Sequence, residues 1–222
     1  MTTRQTLQEA LSALEQLLQE EGRLVLSSID RVSQALLSGD DKLADEVIAA
    51  DDAIDRCYIA VDRGVEELIA LQAPVAGDLR LVLAILHCNQ HLERIGDQCV
   101  NIAKLTKLTL GLVIASELLD SFNEMSERAE LMVAEALAAF ANRDAVRAEA
   151  LVALDALINE ENRHLARRIM EIGGDQRMRE AGLRAILISR CLERIGDNAV
   201  DIGEQTSYLV SGEFREFTDA SH

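Results

Sequence analysis

Leu92-Glu93-Arg94-Ile95-Gly96-Asp97 recurs unchanged as Leu192-Glu193-Arg194-Ile195-Gly196-Asp197, and Val100 and Ile102 recur at the same offsets as Val200 and Ile202. An identity of this length near the end of each half marks an internal duplication. Each copy runs on to a polar residue four positions later, giving Glu93, Asp97 and Asn101 in the first half and Glu193, Asp197 and Asp201 in the second. Residues at i, i+4 and i+8 share one face of an α-helix, drifting by about 40° and rising by about 6 Å per step. Like charges at this spacing destabilise a helix by roughly 0.2–0.5 kcal/mol per pair. Either a bound cation or an Arg or Lys from a neighbouring helix must answer the stripe.

Outward from the repeat, apolar positions of helical period run from about Thr6 to Leu37, including Leu7, Leu11, Leu14, Leu18, Val25, Ile29, Val32 and Leu36. Ser38-Gly39-Asp40 ends this helix and caps a second, over Asp41 to Leu71. Pro74 and Gly77 mark the turn into a third, reaching Thr109. In the second half, Ser116 caps a helix to about Ala141, and Asn142-Arg143-Asp144 stands where Ser38-Gly39-Asp40 stood. A fifth helix follows to about Ile172, is stopped by Gly173-Gly174, and gives way to a sixth over Gln176 to Val210. Short connections make sequential helices antiparallel. The expectation is an all-α protein of two tandem three-helix bundles, residues 1–110 and 111–222, the second ending in a short tail.

Composition agrees: there is no Trp, a single Pro, 3% aromatic residues and 49% hydrophobic residues, which suits helices and a sizeable core rather than sheets. The formal net charge of −17, from 39 acidic and 22 basic residues, repels a phosphate backbone and argues against nucleic-acid binding. No apolar run approaches the ~20 residues of a membrane span, and Glu9 and Glu15 interrupt the N-terminal apolar pattern, unlike a signal peptide. A cytoplasmic protein without membrane insertion is expected. Cys57, Cys88, Cys99 and Cys191 form no CxxC pair and read as apolar packing residues.

The second helix of each half carries acids too: Asp51 and Asp55, matched 104 positions later by Asp155 and Asn159. Two helices that each project oxygens at i, i+4 can face one another across a groove. Such a donor set suits Mg²⁺, Ca²⁺, Mn²⁺ or iron, and carboxylates also bind Zn²⁺; more than one ion fits along the stripe. The candidate metal ligands are therefore Asp51, Asp55, Glu93, Asp97 and Asn101 in one half and Asp155, Asn159, Glu193, Asp197 and Asp201 in the other. His87 and His91 lie at i, i+4 but off this face, and read as surface or helix-interface residues. Gly96 and Gly196, mid-helix at a cost of roughly 1 kcal/mol each, point to close helix approach. No nucleophile elbow, phosphate loop or HExxH motif occurs, so catalysis is not the expected role.

The doubled hexapeptide with its polar extension, the run Val47-Ile48-Ala49-Ala50-Asp51-Asp52-Ala53-Ile54-Asp55, the run Gln72-Ala73-Pro74-Val75-Ala76-Gly77-Asp78-Leu79-Arg80 and the ending Ser207-Tyr208-Leu209-Val210-Ser211-Gly212-Glu213 together resemble the PhoU family. The resemblance spans about residues 6 to 215. It implies two pseudo-twofold-related bundles, and metal clusters of iron or zinc, possibly multinuclear, on the (E/D)xxxD motifs. It further implies a dimeric negative regulator of the phosphate-starvation response, with a phosphate ABC transporter ATPase and a sensor histidine kinase as partners. Asn101 and Asn159 depart from a fully acidic pattern, so two sites of unequal strength are expected. The alternative reading is a metal-dependent hydrolase in which a carboxylate-held cluster activates water.

Overall fold

The computed structural model describes residues 3–171 and 176–217. It contains α1 (Thr3–Ser38), α2 (Asp41–Gln72), α3 (Ala76–Thr109), α4 (Ser116–Asn142), α5 (Ala145–Glu149), α6 (Leu151–Glu171) and α7 (Gln176–Ser211), with no strand among the described residues. The first half is an α1–α2–α3 bundle, and the second is an α4–α6–α7 bundle with the short α5 at its corner. Two three-helix bundles made of tandem repeats are thus present. The expected stop at Gly173-Gly174 lies outside the described residues.

Local chemistry sets most boundaries. Asp40 caps α2 by accepting from the Lys42 and Leu43 N–H groups at 2.9 and 3.1 Å, and Asp144 caps α5 by accepting from Arg147 N–H at 3.0 Å. Gly39 precedes the first cap at φ +66°, the left-handed conformation that ends α1. Its counterpart is Arg143, held at φ +57° without glycine's freedom. The Arg143 guanidinium pairs with Glu15 of α1, donates to the Phe140 carbonyl and lies 5.1 Å from the Phe140 ring centroid, contacts that hold the left-handed turn.

Two expectations are corrected. Ser116 does not cap α4; it is the first helical residue, preceded by Ala115, which has no side-chain cap. The fifth predicted helix is broken at Ala150 into α5 and α6. No Gly or Pro marks this break, which is set by packing: a Cβ on Gly203 of α7 would lie 2.8 Å from Leu151 Cδ1 and 3.2 Å from the Ala148 carbonyl oxygen. The bare backbone of α7 admits the turn.

The core is continuous across both halves, with Leu18, Ile29, Ile54, Ile85, Leu92, Ile95 and Ile102 in the first and Phe122, Met125, Met132, Phe140 and Leu151 in the second. α3 and α7 form its central seam. They run antiparallel: His91 of α3 meets Asn198 and Asp201 of α7, and Asn101 and Lys104 of α3 share a groove with Leu187 and Arg190 of α7. Residue pairs across the seam sum to about 290, which places Ile95 opposite Ile195. The two hexapeptides therefore cross at the centre of the molecule. α1 and α4 also pack antiparallel, with Gly22 against Leu137.

Candidate functional site

Gly96 and Gly196 explain how the acidic faces meet. A Cβ on Gly96 would lie 3.1 Å from Ile54 Cδ1 and 3.3 Å from Asp51 Oδ1; on Gly196 it would lie 3.3 Å from Ile158 Cδ1 and 3.1 Å from Asp155 Oδ1. One glycine in each half thus brings the matching aspartate onto the repeat helix, the close helix approach that the mid-helix glycines pointed to. Without a side chain at these positions α2 approaches α3, and α6 approaches α7, closely enough to share one acidic groove.

In the first half, Asp51, Asp55, Glu93 and Asp97 form one electrostatic cluster. Asp51 is half-buried and its carboxyl is raised above the usual range by desolvation first, then by Asp55 and Asp97, with Lys104 opposing. Glu93, also half-buried, is raised by desolvation, then by Asp97 and Asp55, with Arg94 opposing. No ion pair joins any of these four acids to a basic side chain among the described residues. Asn101 lines the α3–α7 groove beside Arg190 and Arg194.

One acid of this region escaped sequence reading. Glu21 of α1 is 0% exposed, and neither carboxylate oxygen has a hydrogen-bond partner. Desolvation, then the charge of Glu93, pushes its pKa up to about 9, so it is protonated at neutral pH. The signal was present in the sequence: Glu21 falls on the apolar phase Leu14, Leu18, Val25 of α1, where Met125 stands 104 residues later, also 0% exposed.

The second half is answered internally. Asp155 is buried and its Oδ2 accepts from Asn159 Nδ2 at 2.6 Å, and Glu193 pairs with Arg190. Asp197 is pushed up to about 6 by desolvation, Glu193 and Asp201. Asp201 reaches across the seam to His91, its Oδ2 3.3 Å from Nδ1. His91 Nδ1 also lies 2.9 Å from Asn198 Oδ1; both neighbours only accept there, so Nδ1 carries the proton. His91 is thus an interface residue that serves the opposite repeat's stripe. Desolvation raises the Asp201 carboxyl, while His91 and then Arg94 hold it back.

The donor set fits a cation. It consists of hard oxygens on two closely apposed helices, with self-repulsion that a positive ion would relieve, and with an orphaned buried carboxyl beside it in the first half. As the side chains stand, no three His, Cys, Asp or Glu residues among those described converge to coordinate one ion. Cys88 and Cys99 are buried, and desolvation drives their thiols upward, so they offer no thiolate.

The PhoU domain model matches residues 18–106 and again 122–206. A phosphate-specific transport system accessory protein PhoU homologue of Methanothermobacter thermautotrophicus is 30% identical over 157 residues, covering 69% of this chain and 70% of that protein. One from Thermotoga maritima is 32% identical over 168 residues, covering 71% and 70%. The crystal structure of PhoU from Pseudomonas aeruginosa superposes with a TM-score of 0.85 at 31% identity, covering 93% of this chain and 99% of that one. A phosphate transport system regulatory protein PhoU from Streptococcus pneumoniae gives 0.86 at 30% identity, covering 94% and 99%. With both repeats matched by the domain and the whole helical architecture shared, this chain belongs to the PhoU family.

Proposed function

We propose that this chain is a regulatory accessory protein of a phosphate transport system, acting by protein contact rather than by catalysis and carrying cation sites on its two acidic grooves. Support for the transport role comes from its relatives, named as phosphate-specific transport system accessory proteins. The observation that carries the cation sites is the symmetric close approach at Gly96 and Gly196, which delivers Asp51 and Asp155 to matching positions on the repeat helices. In the first site Asp51, Asp55, Glu93 and Asp97 are the ligands, with Asn101 at its edge; in the second Asp155, Glu193, Asp197 and Asp201, with Asn159 at its edge. Iron or zinc is the resident metal. The partners are the transporter's ATPase and a sensor histidine kinase, engaged from the cytoplasm by a dimer, with phosphate-replete repression as the output. Consistent with a protein that docks on a transporter rather than joining it in the bilayer, none of the described helices is long and apolar enough to cross a membrane.

Elemental analysis of protein purified without chelator tests the sites. Glu93→Ala/Asp97→Ala is expected to lose the first site's metal while keeping the second's, and Glu193→Ala/Asp197→Ala the converse. Metal content equal to wild type in both variants would remove the assignment. A pull-down from phosphate-replete cells is expected to recover the ATPase and the kinase, and recovery of neither overturns the adaptor role.

A further inference from the structure

The α3–α7 seam is flanked by two grooves related by the duplication, and among the described residues only one is covered in part by a later segment of the chain. On one side Leu83, His87, Gln205 and Tyr208 line a hollow of about 390 Å³ that the segment after α7 borders: Phe214, 56% exposed, meets Tyr208 edge-on, ring centroids 6.5 Å apart at 65°. Three residues on, Phe217 N–H donates to the Glu204 carboxylate at 2.6 Å. On the other side, at the C-terminal half of α3 and the N-terminal half of α7, lies an open groove of about 460 Å³ lined by Lys104, Leu105, Leu108, Leu187, Arg190 and Arg194. Leu108 is 58% exposed and Leu187 45% exposed.

A shift of 100 residues relates the two sets: Leu187, Leu105 and Leu108 stand where the covered groove has His87, Gln205 and Tyr208. One charge is inverted and two ionisable residues give way to neutral ones. Lys104 replaces Glu204, Asn101 replaces Asp201 and Cys191 replaces His91. Beside the covered groove, Asp201 counters His91 and Arg94. Neutral Asn101 leaves Arg194 without that partner across the seam; the charge of Arg194 acts on Asp197 and that of Lys104 on Asp51, Arg190 pairs with Glu193, and neither Lys104 nor Arg194 makes an ion pair among the described residues. In a chain of net charge −17, this is a cationic apolar slot.

We propose that the open groove docks an extended segment of a partner protein that carries an aromatic or leucine side chain flanked by carboxylates. The apolar residue would take the place on Leu105, Leu108 and Leu187 that Phe214 takes on Tyr208 in the covered groove. The flanking acids would meet Lys104 and Arg194. Free phosphate is the poorer occupant, because three leucines offer a hydrated dianion nothing. An acidic peptide gains from both surfaces, and opposite charge speeds its encounter and fixes its register. Of the proposed metal ligands Asn101 lines the groove and Glu193 meets it through Arg190, but Leu187→Asp alters neither, so failure of that test would leave the cation reading intact.

The test is selection of a random displayed peptide library on the full-length chain, counter-selected on Leu187→Asp. The expected consensus is an aromatic or leucine with carboxylates on either side. The enriched peptide, fluorescein-labelled, should bind Leu187→Asp and, separately, Lys104→Gln/Arg194→Gln roughly tenfold more weakly, and weaken as salt is raised. All three substituted positions are exposed, and unchanged far-UV circular dichroism of each variant confirms that it folds. Four results would overturn the proposal: a consensus lacking carboxylates, no peptide that distinguishes wild type from the variants, displacement by inorganic phosphate, or a second copy of the chain occupying the groove in solution.

Discussion

Replacing Glu21 with methionine, the residue that the second repeat holds at the equivalent position, is expected to stabilise the protein in proportion to pH. The native carboxyl titrates near 9 against an ordinary value of 4.5. Below pH 4.5 it is protonated both folded and unfolded, and burial of the neutral acid carries no linkage cost. Above 4.5 the unfolded chain releases the proton and the folded chain does not, so stability falls as pH rises, by about 1.4 kcal/mol per unit, until the native group ionises near 9. At pH 7 the accumulated cost is about 3 kcal/mol. Glu21→Met removes that cost and the two unpartnered oxygens with it, and should raise the midpoint of thermal unfolding by roughly 6–12 °C for a chain of this size. Urea unfolding followed by circular dichroism at several pH values, with chelator present to hold metal occupancy at zero, reads the effect. The gap between the wild-type and Glu21→Met curves should be constant below about pH 4.5 and widen steadily above it, with Glu21→Gln running parallel to Glu21→Met. Parallel curves from pH 5 to 8 would refute the reasoning.

Gly203→Ala should destabilise by about 1 kcal/mol or more in urea despite alanine's better helix propensity, because its Cβ meets a backbone carbonyl at 3.2 Å that only movement of the α5–α6 turn can relieve. Asp40→Ala and Asp144→Ala should each cost about 1 kcal/mol by the same measurement, the loss of a helix cap. If Asp40→Ala matched wild type, the cap assignment for α2 would fail.

Period and punctuation carried the architecture. The apolar spacing of α1, Gly39 and Pro74 were enough to order the first helices, because each is a local property of the chain, and the offset that matches Asp40 with Asp144 carried that order to the second half. The break at Ala150 was invisible, since Gly203, whose bare backbone admits it, lies more than fifty residues away and no local residue disfavours helix there. The metal-site reading found Asp51 and Glu93 together because the duplication repeats the spacing. It missed Glu21, which an apolar stripe reading passes over, although an acid on that phase is the very residue to question. The partner of Asp201 was also beyond reach: His91 belongs to the other repeat, and only the antiparallel α3–α7 packing joins them.

The crossing of the two hexapeptides at the seam bears on how the halves diverged. In a half-length chain pairing with itself about a twofold axis, every change on α3 would appear twice, so the contact would have to suit its own copy. Two repeats in one chain are free of that obligation. His91 now meets the acid Asp201 while Cys191 lies beside the neutral amide of Asn101, so the two ends of one pseudo-symmetric contact serve different neighbours.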